Sequence, residues 1–301
     1  ERTGDNAMTT AERMRLWAML GLGSLLAMGG FAGSRALGAA LGRVIWLTVP
    51  SRRRMATSNI ADCLGLPAQQ AARIAKNSFE HTGRSFLELL LTHRFGFDFT
   101  HLRMEPEDSL LRLRAGTRPI VAATAHLGAW ELLASLLGEL YQERPRLVVV
   151  RKYSDAAAHA FIERRRQARG AMMVGHRNAA STVLRALRKN GLAAFLVDHN
   201  AKRQEAVFLP FLNKEAAVNI GPAILAVRGK ALLWPVALVR EGKGYVFKTQ
   251  EPLDTATLEG SMEERILAAA KFYTKATEKF VLETPEQWFW MHNRWKTKPL
   301  F

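Results

Sequence analysis

The sequence predicts an α/β fold: a mostly parallel central sheet flanked by helices, preceded by an N-terminal hydrophobic membrane-anchor helix. Three observations carry this. Apolar runs of strand length recur through residues 119–250, helix-period segments fall between them, and a long uncharged apolar stretch, Leu16–Gly33, lies near the N-terminus. With 301 residues and 48% hydrophobic content the chain can bury a substantial core. The expected organisation is an N-terminal segment of residues 1–50 and an α/β domain of residues 51–301.

The elements follow in order. Residues 1–7, "ERTGDNA", read as a tag remnant, with Met8 the expected natural start. Leu16–Gly33, "LWAMLGLGSLLAMGGFAG", carries no charge and sits near the lower limit of about 17–25 residues for a bilayer span. Arg13 and Arg15 precede it and Arg52, Arg53 and Arg54 follow a second apolar stretch, so it reads as an uncleaved anchor, spanning or lying in one leaflet. A Gly-rich helical hairpin inside a soluble core is the competing reading. Residues 67–92 open on a proline and repeat apolar side chains every three or four positions, predicting a long amphipathic helix. Strands are expected at 119–125, 146–152, 171–175, 191–198, 206–211, 231–241 and 244–250. Helices are expected at about 131–141, 155–169, 178–190, 216–229 and 261–283. "EGKG" at 241–244 is a hairpin turn, so the last two strands should pair antiparallel.

Composition narrows function. Cys63 is the single cysteine, which excludes a disulfide framework and a thiolate zinc site. The formal charge of +16 calls for a polyanionic partner. Its basic groups are dispersed (Arg112, Arg114 and Arg118; Arg164, Arg165 and Arg166; Lys296 and Lys298) without zinc-finger spacing or an aromatic RNA-binding signature, so no nucleic-acid partner is expected. His81, His93, His101, His159 and His176 lack companions at ligand spacing, and no metal or other cofactor is expected.

The candidate chemistry lies in "PIVAATAHLGAWELLASLLGEL", residues 119–140. His126 falls beyond the carboxyl end of the first central strand, where open α/β sheets gather ligands. If Trp130 opens the next helix, Glu131 lies in its first turn, and the intervening bend lets the carboxylate accept from one imidazole nitrogen while the other faces a cleft. Such a histidine is a general base for a substrate hydroxyl. No serine or cysteine nucleophile lies in the motif, so the attacking group belongs to the substrate. A dipole-favoured helix glutamate beside an incidental surface histidine accounts for the same spacing.

"AHLGAWELL" resembles the His-x4-Asp/Glu motif of the glycerolipid acyltransferase superfamily. "PEQWFWMHNRWKTKP", residues 285–299, resembles the C-terminal signature of its lipid A secondary (lauroyl/myristoyl) acyltransferase branch. The likeness extends to "RRRMATSNIADCLG" (52–65), "VDHN" (197–200) and "FLPFLNKEAAVNIGPAILA" (208–226). It implies a membrane-associated enzyme of the bacterial inner membrane, its catalytic domain cytoplasmic, moving a fatty acyl chain from acyl carrier protein to a hydroxyl on a lipid A precursor. Anionic inner-membrane lipids are further expected partners. Carried over, His126 is the base and Glu131 orients it. Arg166, with Arg164 as neighbouring candidate, and Asp198 belong to substrate binding. Ala129, His199 and the pair Leu212-Asn213 depart from the family's commonest residues. The superfamily's Glu-Gly-Thr-Arg phosphate motif is absent, which argues against a glycerol-3-phosphate acyltransferase. The alternatives are the same chemistry on another glycolipid or phospholipid, and a non-enzymatic anchored basic scaffold for anionic lipid or nucleic acid.

Overall fold

A computed structural model of the chain describes residues 8–91, 101–106, 116–150, 155–167, 170–175 and 179–299. Arg112, Arg114, His93 and His176, singled out above, lie outside the described residues.

The apolar N-terminus is two helices rather than one. α1 (Thr10–Leu26) starts on a Thr9/Glu12 capping box and is separated from α2 (Gly30–Thr48) by a short 3-10 turn at Ala27–Gly29. The stretch 10–48 is long and apolar enough to cross a membrane by length and composition. Met14, Trp17, Leu22, Leu25, Met28 and Leu47 on it are each more than half exposed. Its other side is packed on the protein. A Cβ at Gly42 would come within 2.2 Å of Phe79 O, and one at Gly83 within 2.0 Å of Gly38 O, so these positions need glycine for the backbones to approach so closely. The partner helix is α4 (Ala68–Leu89), reached through α3 (Pro50–Leu64), which has proline in its first turn and ends on left-handed Gly65. Arg52, Arg53 and Arg54 lie in the opening of α3.

The main sheet contains β1 (Leu102–Glu105), β2 (Ile120–Thr124), β3 (Arg146–Val150), β4 (Met172–Gly175), β5 (Leu192–Leu196), β8 (Leu232–Glu241), β9 (Gly244–Thr249) and the short β10 (Leu253–Asp254). Its order is β1-β9-β8-β2-β5-β3-β4, with β10 paired to β8. All neighbours are parallel except β8 with β9, whose turn pairs Glu241 with Gly244, and β8 with β10. β2 is buried along its whole length, as a parallel strand covered on both faces must be. α5 (Trp130–Leu140) covers one face through Leu133, Leu136 and Leu137. The other carries α7 (Ala179–Leu187), α8 (Gly221–Arg228) and α9 (Met262–Glu283), packing through Val183, Leu225 and Tyr273. α6 (Ala156–Gln167) lies against α1.

Two expectations change. The strand at 206–211 does not join the main sheet: β6 (Ala206–Phe211) pairs antiparallel with β7 (Lys214–Asn219), and that second strand takes the first residues expected of a 216–229 helix. The turn between them holds two non-glycine residues at positive φ, Leu212 and Asn213. Tertiary contacts hold it, since Glu278 accepts from Leu212 N and Asn213 Nδ2 donates to Cys63 O.

Candidate active site

Adjacent parallel strands deliver the site. Thr124 of β2 faces Leu196 of β5, and His126 and Asp198 each lie two residues further along, at the same level beyond the sheet. The ladder continues past the strands through Val197 N donating to Thr124 O. His126 Nδ1 is 2.9 Å from Asp198 Oδ1, and His126 N donates to Oδ2 at 2.9 Å, where Trp288 Nε1 also donates at 2.9 Å. A carboxylate can only accept, so the imidazole carries its proton on Nδ1 and leaves Nε2 basic. The Asp198 side chain is fully buried and that of His126 is 19% exposed. Burial alone would raise the Asp198 carboxyl, but the charge and hydrogen bond of His126 outweigh it and hold the group well below the usual carboxylate range.

The turn after His126 is held by a series of backbone hydrogen bonds. Leu127 N donates to Ala125 O, Gly128 N to Gln287 O and Ala129 N to Leu238 O, while Phe289 N donates back to His126 O. Ser85 Oγ donates to Gly128 O at 2.6 Å. Gly128 has φ +61°, and a Cβ there would stand 2.1 Å from Leu238 O, so both conformation and space demand glycine. The side chain of Gln287 grips β8, accepting from Arg240 N and donating to Arg240 O. Beneath lie the fully buried ion pair of Arg240 with Glu88 and the hydroxyl of Tyr245, which donates to Glu88 at 3.0 Å.

Glu131 opens α5 as expected but takes a different partner. Arg166, in the last turn of α6, donates Nε to Oε2 at 2.8 Å and a terminal nitrogen to Oε1 at 2.6 Å, and Trp130 Nε1 donates to Oε1 at 3.1 Å. The hydrogen-bond partner of His126 differs from the expected one. The carboxylate hydrogen-bonded to His126 is Asp198, not Glu131, because Asp198 sits level with the imidazole and also accepts its backbone N–H. Asp198, read as a substrate-binding group, faces protein donors throughout. Burial would raise the Glu131 carboxyl, yet the Arg166 charge and fork prevail and it remains ionised, with the nearby His126 charge adding to the effect. The guanidinium fork of Arg166, a residue expected in substrate binding, is engaged by Glu131.

The arginine run divides among three surroundings. Arg164 lies with its guanidinium carbon 5.9 Å from the Trp17 ring centre, and the buried Arg165 donates to Leu20 O on α1. Arg164 is thus oriented toward the N-terminal helix, and only Arg166 reaches Glu131.

Sequence reasoning gave no role at the site to Gln287 or Ser85, and read the segment "WFWMHNRW" as structural packing or the lining of an acyl channel. The Trp-rich segment 288–295 does lie beneath the site: Trp288 is fully buried and donates to Asp198, and Phe289 stands 5.8 Å from His126 between ring centres. His292 lies between two carbonyls, with Nδ1 2.7 Å from Phe289 O and Nε2 3.1 Å from Asp198 O. The density of ring N–H groups in "WFWMHNRW" was the available signal, since each buried one needs an acceptor.

Comparison with known proteins identifies the family. The family model described as "Bacterial lipid A biosynthesis acyltransferase" matches residues 3–297. The chain belongs to this family. Among similar curated proteins is the lipid A biosynthesis palmitoleoyltransferase of Escherichia coli K12, 25% identical over 276 residues, covering 88% of this chain and 85% of the relative. The lipid A biosynthesis lauroyltransferase of the same organism is 26% identical over 276 residues, covering 87% and 85%. A lipid A biosynthesis acyltransferase of Shigella flexneri is 25% identical over 276 residues, with coverage of 88% and 85%. Membership supports acyl transfer in late lipid A biosynthesis.

Proposed function

We propose that the protein transfers a fatty acyl chain from an acyl carrier protein thioester to the hydroxyl of an acyl chain on a lipid A precursor, with His126 as general base. The observation carrying this reading is the His126 Nδ1–Asp198 Oδ1 contact at 2.9 Å in a partly exposed imidazole. Nε2 takes the hydroxyl proton as the acceptor oxygen attacks the thioester carbonyl. The C–O bond forms, the C–S bond breaks, and the departing thiolate recovers the proton from the imidazolium. Asp198 acts as a positioning residue, fixing the tautomer and stabilising the imidazolium by direct hydrogen bond. Glu131, held ionised by Arg166, adds its field.

The exposed apolar side chains of α1 and α2, beside Arg13 and Arg53, support association with the anionic inner membrane. Each basic group near such a surface contributes roughly 1 kcal/mol. The relatives' names, lauroyltransferase and palmitoleoyltransferase, support a fatty acyl donor. An acyl carrier protein donor requires the catalytic domain to face the cytoplasm.

The test is incubation of the purified protein with acyl carrier proteins bearing chains of different length and a lipid A precursor, followed by product mass. A mass increase of one acyl group, abolished by His126→Ala, is the expected result. Transfer only to another glycolipid or phospholipid would replace the acceptor. Near-parental transfer by the variant at saturating substrate would remove His126 as base.

A further inference from the structure

The carboxyl ends of β2 and β5 bring together more than a base and its partner. One ring nitrogen of His126, one of His199 and a carboxylate oxygen of Asp198 all lie within 4.8 Å of one another. The two imidazoles meet edge to face, with centres 4.5 Å apart and planes at 89°. His199 is exposed, and Asp198 is buried and immobilised.

We propose that these three residues form a binding site for a single zinc-class divalent ion, and that the ion is a reversible inhibitor. Two imidazoles and one carboxylate are a borderline donor set that suits Zn²⁺ and not the oxygen-seeking Mg²⁺ or Ca²⁺. Ligand atoms about 2.0–2.1 Å from a tetrahedral centre stand roughly 3.4 Å apart. The 2.9 Å between His126 Nδ1 and Asp198 Oδ1 is already close to that separation. That contact opens by about 0.5 Å, and the larger adjustment, up to about 1.4 Å from the 4.8 Å bound, falls on His199, which its exposure permits. Outer contacts of the kind that orient metal ligands are in place, since His126 N and Trp288 Nε1 both hold Asp198 Oδ2 and leave Oδ1 to a single donor.

Occupancy excludes catalysis for a protonic reason. An ion on Nδ1 takes the place of the ring's one proton, which moves to Nε2, so the ring presents a donor where the reaction needs an acceptor. An ion on Nε2 takes the basic lone pair itself. Binding by either nitrogen silences the base and releases on chelation. The inhibitory half rests on His126 being that base; the binding half rests only on the three ligands.

The probe is Co²⁺, titrated into the detergent-solubilised full chain, whose four-coordinate visible absorption reports binding without reference to turnover, with Zn²⁺ as competitor. His199→Gln is the informative variant, because it removes a ligand and leaves the proposed base and its positioning carboxylate in place; His199→Asn repeats the test with a shorter side chain. We expect one equivalent of Co²⁺, displaced by one of Zn²⁺, and binding at least about 10-fold weaker in both variants. Transfer by the parent should fall in proportion to occupancy and recover with chelator, while metal-free activity of His199→Gln stays within about two-fold. Absence of stoichiometric binding, or equal affinity in the variants, overturns the site. His199-dependent binding with full activity at saturation overturns the inhibition and points to failure of the base assignment, a result distinct from loss of the site.

Discussion

Asp198→Asn separates a positioning carboxylate from a merely buried one. Asp198 accepts three N–H groups: His126 Nδ1 on Oδ1, and His126 N and Trp288 Nε1 on Oδ2. An asparagine has one acceptor oxygen and one NH2 group, so it cannot satisfy this set. With its oxygen toward the two fixed donors, its NH2 faces His126 Nδ1 and drives the imidazole proton to Nε2. The reverse orientation sets two buried donors against the NH2. The first costs the base its lone pair, and general-base catalysis contributes typically about 10²–10⁴-fold, or roughly 3–5.5 kcal/mol of barrier. The second leaves buried donors unpaired, at about 1–3 kcal/mol each. The expected outcome is a kcat lower by about 10²–10⁴-fold. KM should change little, because Asp198 is sealed from substrate. The assay is initial-rate acyl transfer with both substrates varied, alongside a thermal melt and nitrogen NMR of the imidazole, which reads the tautomer directly. A folded variant retaining more than about a tenth of parental kcat, or one showing Nδ1 still protonated, would refute the reasoning.

Four further outcomes are expected. Glu131→Gln removes the negative charge paired with the largely buried Arg166 side chain and should destabilise the fold by about 3–5 kcal/mol in denaturant titration, and the double variant with Arg166→Gln should recover part of that loss. Gly128→Ala combines a positive φ with a Cβ 2.1 Å from Leu238 O; about 2–5 kcal/mol of stability should be lost, together with transfer activity. The His81 imidazole is pushed down to about 3 by burial and then by Arg240, Arg84 and Arg35, so the unfolded chain binds the extra proton between pH 6.5 and 3. Stability should therefore fall as pH drops through that window, by up to about 1.4 kcal/mol per unit, and His81→Asn should flatten the slope. Replacing Trp17 and Leu25, 66% and 62% exposed, by serine should lower recovery on anionic vesicles in flotation while leaving the melting temperature unchanged.

Fold class was legible because parallel strands buried on both faces leave continuous apolar runs, as "PIVAATA" does. The antiparallel β8–β9 turn was legible from "EGKG". The β6–β7 hairpin was not, since a Leu-Asn turn at positive φ carries no local signature and exists through contacts from Glu278 and Cys63. β1 was equally hidden: a four-residue edge strand with alternate burial, it is defined by its partner β9. At the site, the spacing of His126 and Glu131 was visible in one stretch of chain, while Asp198, 72 residues further on, is joined to His126 only by strand order. For the same reason, the grouping of Asp198 and His199 with His126 as possible ligands could not be read from spacing.

The division of labour between the two carboxylates follows from geometry. A residue in the first turn of a helix points its side chain back toward the preceding turn, which brings Glu131 near His126 but also beneath the end of α6, where a planar guanidinium saturates both oxygens. Asp198 approaches along the sheet, where parallel register makes its distance to His126 a property of the backbone. A partner fixed by strand pairing can define a tautomer, because moving it means breaking the ladder. A partner fixed by a side-chain ion pair supplies charge without direction. The His-x4-Glu spacing is accordingly best understood as placing an ionised carboxylate within the field of the imidazole, and the orienting contact as the task of the strand next door.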